Sequence, residues 1–341
     1  MEVNCAGCAG CCLDWRPLLE TDADEHSRSR GRIRDEGDAV ARDPVDDDPS
    51  FVPLTRDEVR GFLERGMGAA LTPRFWRARS EREAVEVDGR PIAAIADRPA
   101  FFVGLRKPPK PVAPFGRERP TWLPACVFLD PATLQCRIHD GDLFPDECGA
   151  YPTYNLALDR ETECERVESI FGGERLLEED LDDADEDVLD GLLLGTAAIG
   201  EKLFCHPDPD DLEGTIERLA ADELTVEDRA ETIAVAAASS PGTLAISDHH
   251  YERAVASAVE SSAAAPSSLD SDDAGDGSTQ SDTGERSAPQ ADGSWVAGAI
   301  DAWHRRHANA GGETPPPTIA ATIEERRGAP ETPGWDDLEA E

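Results

Sequence analysis

Cysteine is the residue type in this chain most able to do chemistry, and its spacing is uneven. Four thiols crowd the N-terminus in "NCAGCAGCC": Cys5, Cys8, Cys11 and Cys12. A second set lies far downstream as Cys126, Cys136 and Cys148, with Cys164 close behind. A metal needs thiolates converging on it from several directions at about 2.3 Å. A C-x2-C spacing supplies two from one tight turn. Ala6, Gly7, Ala9 and Gly10 leave the backbone room to curl and to aim N–H groups at sulfur. Neighbouring side chains are expected to diverge, and so are those of Cys11 and Cys12. The pair therefore suits two different metals, or one thiol that ligates while its neighbour stands by.

The spacing does not choose the metal. Structural zinc is usually held by paired C-x2–4-C knuckles, whereas here one side is an extended C-x2-C-x2-C-C and the other has long intervals. C-x2-C-x2-C is also how bacterial ferredoxins wrap a cubane, but their following Cys-Pro is missing. Zn2+ and an iron–sulfur cluster both stay open as cofactors. Disulfides are disfavoured, because the chain reads as cytoplasmic and such cysteine sets in a reducing compartment are metal-binding or redox-active first. Cys205, alone, reads as a buried free thiol. His139, three residues after Cys136, is a candidate extra ligand. The plainer reading, for it and for His206, is a hydrogen-bonded or exposed histidine. Asp130, Asp140 and Asp142 read as solvated turn residues.

The elements that must position these thiols are short. Thr55-x-x-Glu58 is a capping box opening "TRDEVRGFLERG", and Gly66 closes that helix. Asp88-Gly89 between alternating apolar residues is a hairpin signal. "PACVFLDPATLQCRIHD" reads as strand, Pro-containing turn and second strand, which would bring Cys126 and Cys136 face to face. Residues 21–50 are charged and without periodicity, a surface insertion or disordered loop. Residues 174–260 have helical spacing. Residues 261–293 are a Ser/Asp/Gly linker. "SWVAGAIDAWHRRHA" could place Trp295, Ile300 and Trp303 on one side of an amphipathic helix that docks back on the core. The last thirty residues, rich in Pro and Glu, read as disordered.

The chain has 341 residues, enough to bury a core without bridges, but only 6% are aromatic. It carries 72 acidic against 33 basic residues, a net charge of −39. Lysine is reduced to Lys107, Lys110 and Lys202. Widespread acid with few lysines resembles proteins of salt-loving archaea, where concentrated salt screens self-repulsion. Nucleic acid is excluded as a partner by the lack of a basic stretch. A membrane is excluded by the lack of an apolar run of about 18 residues. No secretory signal opens the chain. A protein partner is allowed but not identified. Neither a dinucleotide fingerprint, a P-loop, a zinc-protease motif nor a nucleophile elbow occurs.

Taken together, "CAGCAGCC" and "CVFLDPATLQCRIHDGDLFPDECGAYP" resemble the YkgJ-type cysteine-cluster proteins, the CxxCxxCC zinc- or iron-chelating domain. Cys126-Val127-Phe128-Leu129, Cys136-Arg137-Ile138, Pro145-x-x-Cys148 and Tyr151-Pro152 fall in the family's order. Phe144, Gly149 and His139 stand where that pattern has arginine, arginine and a tyrosine-like residue. The resemblance implies metal binding by Cys5, Cys8, Cys11, Cys12, Cys126, Cys136 and Cys148, with Cys164 added from its proximity. A subset of that family resembles flagellin lysine N-methylases, so an iron–sulfur enzyme is the alternative. The expected fold is α+β: a metal-organised domain over 1–170 with short hairpins and helices, a helical extension over 171–260, a linker over 261–293 and a tail over 294–341.

Overall fold

Two-residue turns and capping boxes set most of the local structure. The computed structural model describes residues 3–19, 43–139, 141–157, 160–176, 195–263 and 295–333. The readings made for 21–42, for the 177–194 part of the helical stretch, for most of the linker and for Asp140 lie outside these residues. Helix α1 (Arg56–Glu64) has the capping box read from the sequence: Glu58 N donates to Thr55 Oγ1, and Thr55 N donates to the Glu58 carboxylate. Strand β1 (Leu71–Phe75) follows, then β2 (Ala84–Val87), β3 (Arg90–Ile95) and β4 (Arg98–Leu105). Asp88-Gly89 turns β2 into β3 with both residues at positive φ, and Val87 pairs with Arg90. Ala96-Asp97 does the same between β3 and β4. These are the left-handed conformations that match strand twist in tight hairpins.

The sheet order is β1-β4-β3-β2, all antiparallel, and β7 (Phe204–Cys205) also pairs with β4. Phe101 on β4 stacks on Phe75 and meets Phe204, with ring centroids 5.1 and 5.8 Å apart. A second ribbon pairs β5 (Pro109–Val112) with β6 (Thr121–Pro124). Helices α2 (Asp146–Ala150), α3 (Thr153–Ala157) and α4 (Glu163–Phe171) lie between the ribbon and β7 in the chain, and α5 (Thr215–Ala220), α6 (Val226–Ala238) and α7 (Asp248–Ser262) come after it. The fold class is α+β.

The main core is one cluster that draws on residues from Val45 to Ile323. Its helical wall is α6, whose alanines 234, 236, 237 and 238 are buried and pack against α7. The last described segment is helical too. In α8 (Trp295–Asn309), Trp295, Ile300 and Trp303 are all buried, so this helix docks on the core. The tail beyond it differs from its sequence reading. Residues Pro317–Glu325 form α9, with Pro317 at its first position and Glu324 fully buried. A proline there fits the helix start, because its missing N–H would have no partner anyway.

Two other readings are corrected. The acidic run Asp46-Asp47-Asp48 is not a free surface: it pairs with Arg74, Arg16 and Lys107 respectively. The region 126–139 makes a tight turn with a single bridge, Leu129 to Cys136, in place of two strands. Asp130 shapes that turn, accepting from Ala132 N at 2.8 Å, and is buried beside Arg137 at 3.2 Å.

Candidate functional site

The N-terminal thiol loop is held from two sides. Cys126 N donates to Cys12 O at 2.7 Å, Leu13 bridges Ala125, and Asp14 N donates to Pro124 O. On the other side, Asn4 N donates to Arg175 O and the Arg175 guanidinium donates to Ala6 O. The loop stays compact because Gly7 and Ala9 take left-handed φ values of 63° and 52°. Beneath it is a small separate core of Leu13, Trp15, Val112, Leu123 and Val167. Trp15 is fully buried, edge-on to Phe115 and Phe171, and its Nε1 donates to Glu163 at 3.0 Å.

Helix α4 brings Cys164. It starts with a capping box in which Thr162 and Glu165 satisfy each other's backbone N–H. Tyr151 Oη accepts from Glu163 N, which fixes the 151–163 segment to the helix start. Cys148 sits in the short α2, and Asp146 N donates to Glu58 of the α1 capping box at 2.7 Å.

The result is one cavity of about 340 Å3 lined by Cys5, Cys8, Cys11, Cys12, Cys126, Cys136, Cys148 and Cys164. All nine cysteines are free thiols. Cys205 does not line the cavity: it is buried in β7, and burial pushes its thiol up to about 11. His206 is also accounted for, held between the Asp208 carbonyl and the Glu231 carboxylate at 2.6 and 3.0 Å. The His139 ring lies 4.7 Å from that of Phe144.

Each of the eight thiols is held above its ordinary value. Burial is the first cause for Cys5, pushed up to about 11, and for Cys136, pushed up to about 12. Burial also leads for Cys8, Cys126, Cys148 and Cys164. Cys11 is raised first by its hydrogen bond with Cys12, Sγ to Sγ 3.9 Å, and then by burial. That bond lowers Cys12, but burial and the neighbouring thiols outweigh it. The neighbours differ between sets. Cys164 is raised by Cys11, Cys8 and Cys5, whereas Cys12 is raised by Cys126, Cys148 and Cys136. Cys11 also acts on Cys126, Cys136 and Cys148. Cys11 therefore neighbours thiols of both segments.

Among the described residues, no three His, Cys, Asp or Glu side chains stand in an arrangement that holds a metal ion directly. In kind and number the donors fit: eight soft sulfur atoms line one cavity.

A buried ionic clasp supports the 126–136 turn, and sequence reasoning missed it. Glu324 of α9 accepts from Lys110 at 2.6 Å and from Arg137 at 2.9 Å, with all three side chains fully buried. Lys110 Nζ also donates to the carbonyls of Val127 and Leu129. Trp303 Nε1 donates to Glu324, and Arg137 reaches Pro330 O. The available signal was rarity: a chain with three lysines puts one of them beside the cysteine segment.

No curated protein matches this chain, and neither does any solved structure. The model of a family of unknown function (DUF7531) matches residues 1–336, and the chain belongs to that family.

Proposed function

We propose that this protein binds metal, as zinc or as an iron–sulfur cluster, through two adjacent four-thiol sets. Cys5, Cys8, Cys11 and Cys164 would form one set, and Cys12, Cys126, Cys136 and Cys148 the other. The observation that carries the reading is that eight of nine cysteines line one cavity while the ninth packs in the core. Eight thiols gathered with no disulfide among them cost stability as thiolates and are neutral as placed. A cation would let them ionise together. The resemblance of the two cysteine segments to the YkgJ-type proteins supports the same reading.

When bound, the metal would cross-link the N-terminal loop, the 126–136 turn and α4, and iron would add electron transfer. A second reading, an iron–sulfur enzyme with a protein lysine as methyl acceptor, draws on the polar lining beside the thiols, where Tyr151, Asn155 and Glu161 face the same cavity. Anaerobic purification with elemental analysis and a visible absorption spectrum tests both. A brown protein with iron and sulfide keeps the enzyme reading. Stoichiometric zinc in a colourless protein supports the binding reading and removes the redox one. A colourless, metal-free protein that takes up neither metal contradicts the proposal.

A further inference from the structure

A second cavity, of about 480 Å3, shares the wall of Pro49, Phe51, Leu105 and Lys107 with the first but has no thiol in its lining. Four of the five aspartates in its lining are held in ion pairs by three cations. Asp14 and Asp47 are paired with Arg16, Asp46 with Arg74 and Asp48 with Lys107. The lining also holds Arg106, Asp222, Arg229, His304 and His307. In a protein of net charge −39, neither arginine has a carboxylate within ion-pair reach among the described residues.

What the two guanidiniums do contact is neutral. Arg106 Nη1 donates to Ala69 O at 3.2 Å. Arg229 Nη1 donates to the carbonyls of Leu224 and Thr225 at 2.6 and 3.2 Å, and its Nε is buried with no hydrogen-bond partner. Backbone contacts fix Arg106 in place, because its N–H donates to Ala70 O and its carbonyl accepts from Val127 N. Asp222 lines the cavity, and Asp228 and Asp301 are nearby; none of the three pairs with either arginine. The two arginines are half-buried, and the buried Nε–H of Arg229 is costly to leave without a partner. The fork geometry of a guanidinium suits the oxygens of a phosphate.

We propose that this cavity binds the phosphate group of a small molecule, with Arg106 and Arg229 as the charged clamp and His304 and His307 at its side. The electrostatics agree. Burial and Arg229 depress the Arg106 guanidinium to about 9, and burial depresses Arg229. Burial and then Arg106 keep His304 below its ordinary value. Burial leads all three changes, and the nearby carboxylates only partly offset it. A volume of this size admits a phosphomonoester as well as free phosphate. Trp122, whose ring lies 5.3 Å from that of His307, also lines the cavity and offers a face for a planar group. The inference does not depend on metal binding.

The test is calorimetric titration of the full chain, in 1 M KCl to screen weak surface association, with inorganic phosphate and separately with adenosine 5′-monophosphate. Saturable one-site binding of either is expected. Tighter binding of the nucleotide assigns a phosphomonoester, and equal or tighter binding of phosphate assigns the free ion. Arg229→Gln and Arg106→Gln should each weaken binding at least tenfold. Arg229→Lys, which keeps the charge and loses the fork, should weaken it less, and exposed Arg82→Gln should leave it unchanged. Circular dichroism establishes that each variant is folded. If the wild-type chain binds neither probe, if chloride at this concentration abolishes binding, or if folded Arg106 and Arg229 variants bind as well as the wild type, the proposal is wrong.

Discussion

Gly10 leaves no room for a methyl group: a Cβ there would stand 2.7 Å from Val167 Cγ2 of α4 and 3.5 Å from Cys8 Sγ. The spacers of the N-terminal motif therefore do two different things. Gly7 supplies a left-handed turn, and Gly10 supplies close approach to the helix that carries Cys164. Gly10→Ala should lower stability by about 1–3 kcal/mol, the usual cost of overpacking. Val167→Ala in the same chain should recover part of it. A denaturant double-mutant cycle measures the coupling, and strict additivity would contradict the contact. A second prediction concerns Asp228, which caps α6 with Thr225 and accepts from Thr215 and Arg218. Burial opposes its charge, but those donors win and hold it below the ordinary carboxylate range. A depressed carboxylate stabilises the fold above its unfolded value of about 3.9, and that contribution is lost as the pH falls further. Asp228→Ala should cost about 2 kcal/mol at pH 7 and less below pH 3, read from unfolding midpoints across pH. At this scale the sequence showed the thiols and their spacers plainly. It did not show Asp130, because a turn aspartate looks the same solvated or buried until its arginine is known.

The elements that were legible are those whose causes are local. The Thr55–Glu58 box and the Asp88-Gly89 turn each work within four residues, and both stand as expected. The clasp on the 126–136 turn was not legible, because Arg137 and Glu324 are 187 residues apart in the chain. A proline- and glutamate-rich tail reads as disordered until its one buried glutamate meets two buried cations. Lys110 uses its three donors on Val127 O, Leu129 O and Glu324, a role for a compact ammonium that explains a lysine in so lysine-poor a chain. Glu324→Ala should therefore destabilise the protein by about 3–5 kcal/mol, since it strands the buried Lys110 ammonium and leaves Arg137 with Asp130 alone. Changing Lys110 and Arg137 to Met along with it should restore part of the loss. Equilibrium unfolding checks both. A change under about 0.5 kcal/mol, the size of a surface substitution, would show the clasp to be unimportant.

Over the whole molecule, charge and core act at different ranges. The core joins residues from Val45 to Ile323, so the docking of α8 and α9 is part of folding the central sheet. The net charge of −39 opposes that compaction. Raising KCl from 0.1 to 2 M shortens the Debye length from about 10 Å to under about 3 Å. The melting temperature should rise with it, and a flat response would contradict self-repulsion as the cost of this composition. Composition made the salt dependence legible. It could not locate the arginines left without carboxylates, because that depends on which of many acids reach them. Among the described residues no helix is long and apolar enough to cross a membrane.

The central proposal, that eight thiols bind metal in two adjacent four-thiol sets, is tested most directly by native mass spectrometry of the anaerobically purified chain. The wild-type spectrum and that of the Cys205→Ser variant should carry the same added metal mass. A chain with Cys12, Cys126, Cys136 and Cys148 changed to Ser should lose part of that mass, and the chain with all eight changed should lose it all. Proton release on loading the metal-free protein should accompany binding, because each thiol starts above its ordinary value. A wild-type chain with no added mass, even after incubation with Zn2+ or with Fe2+ and sulfide, or one whose metal survives the loss of all eight cysteines, would contradict the account.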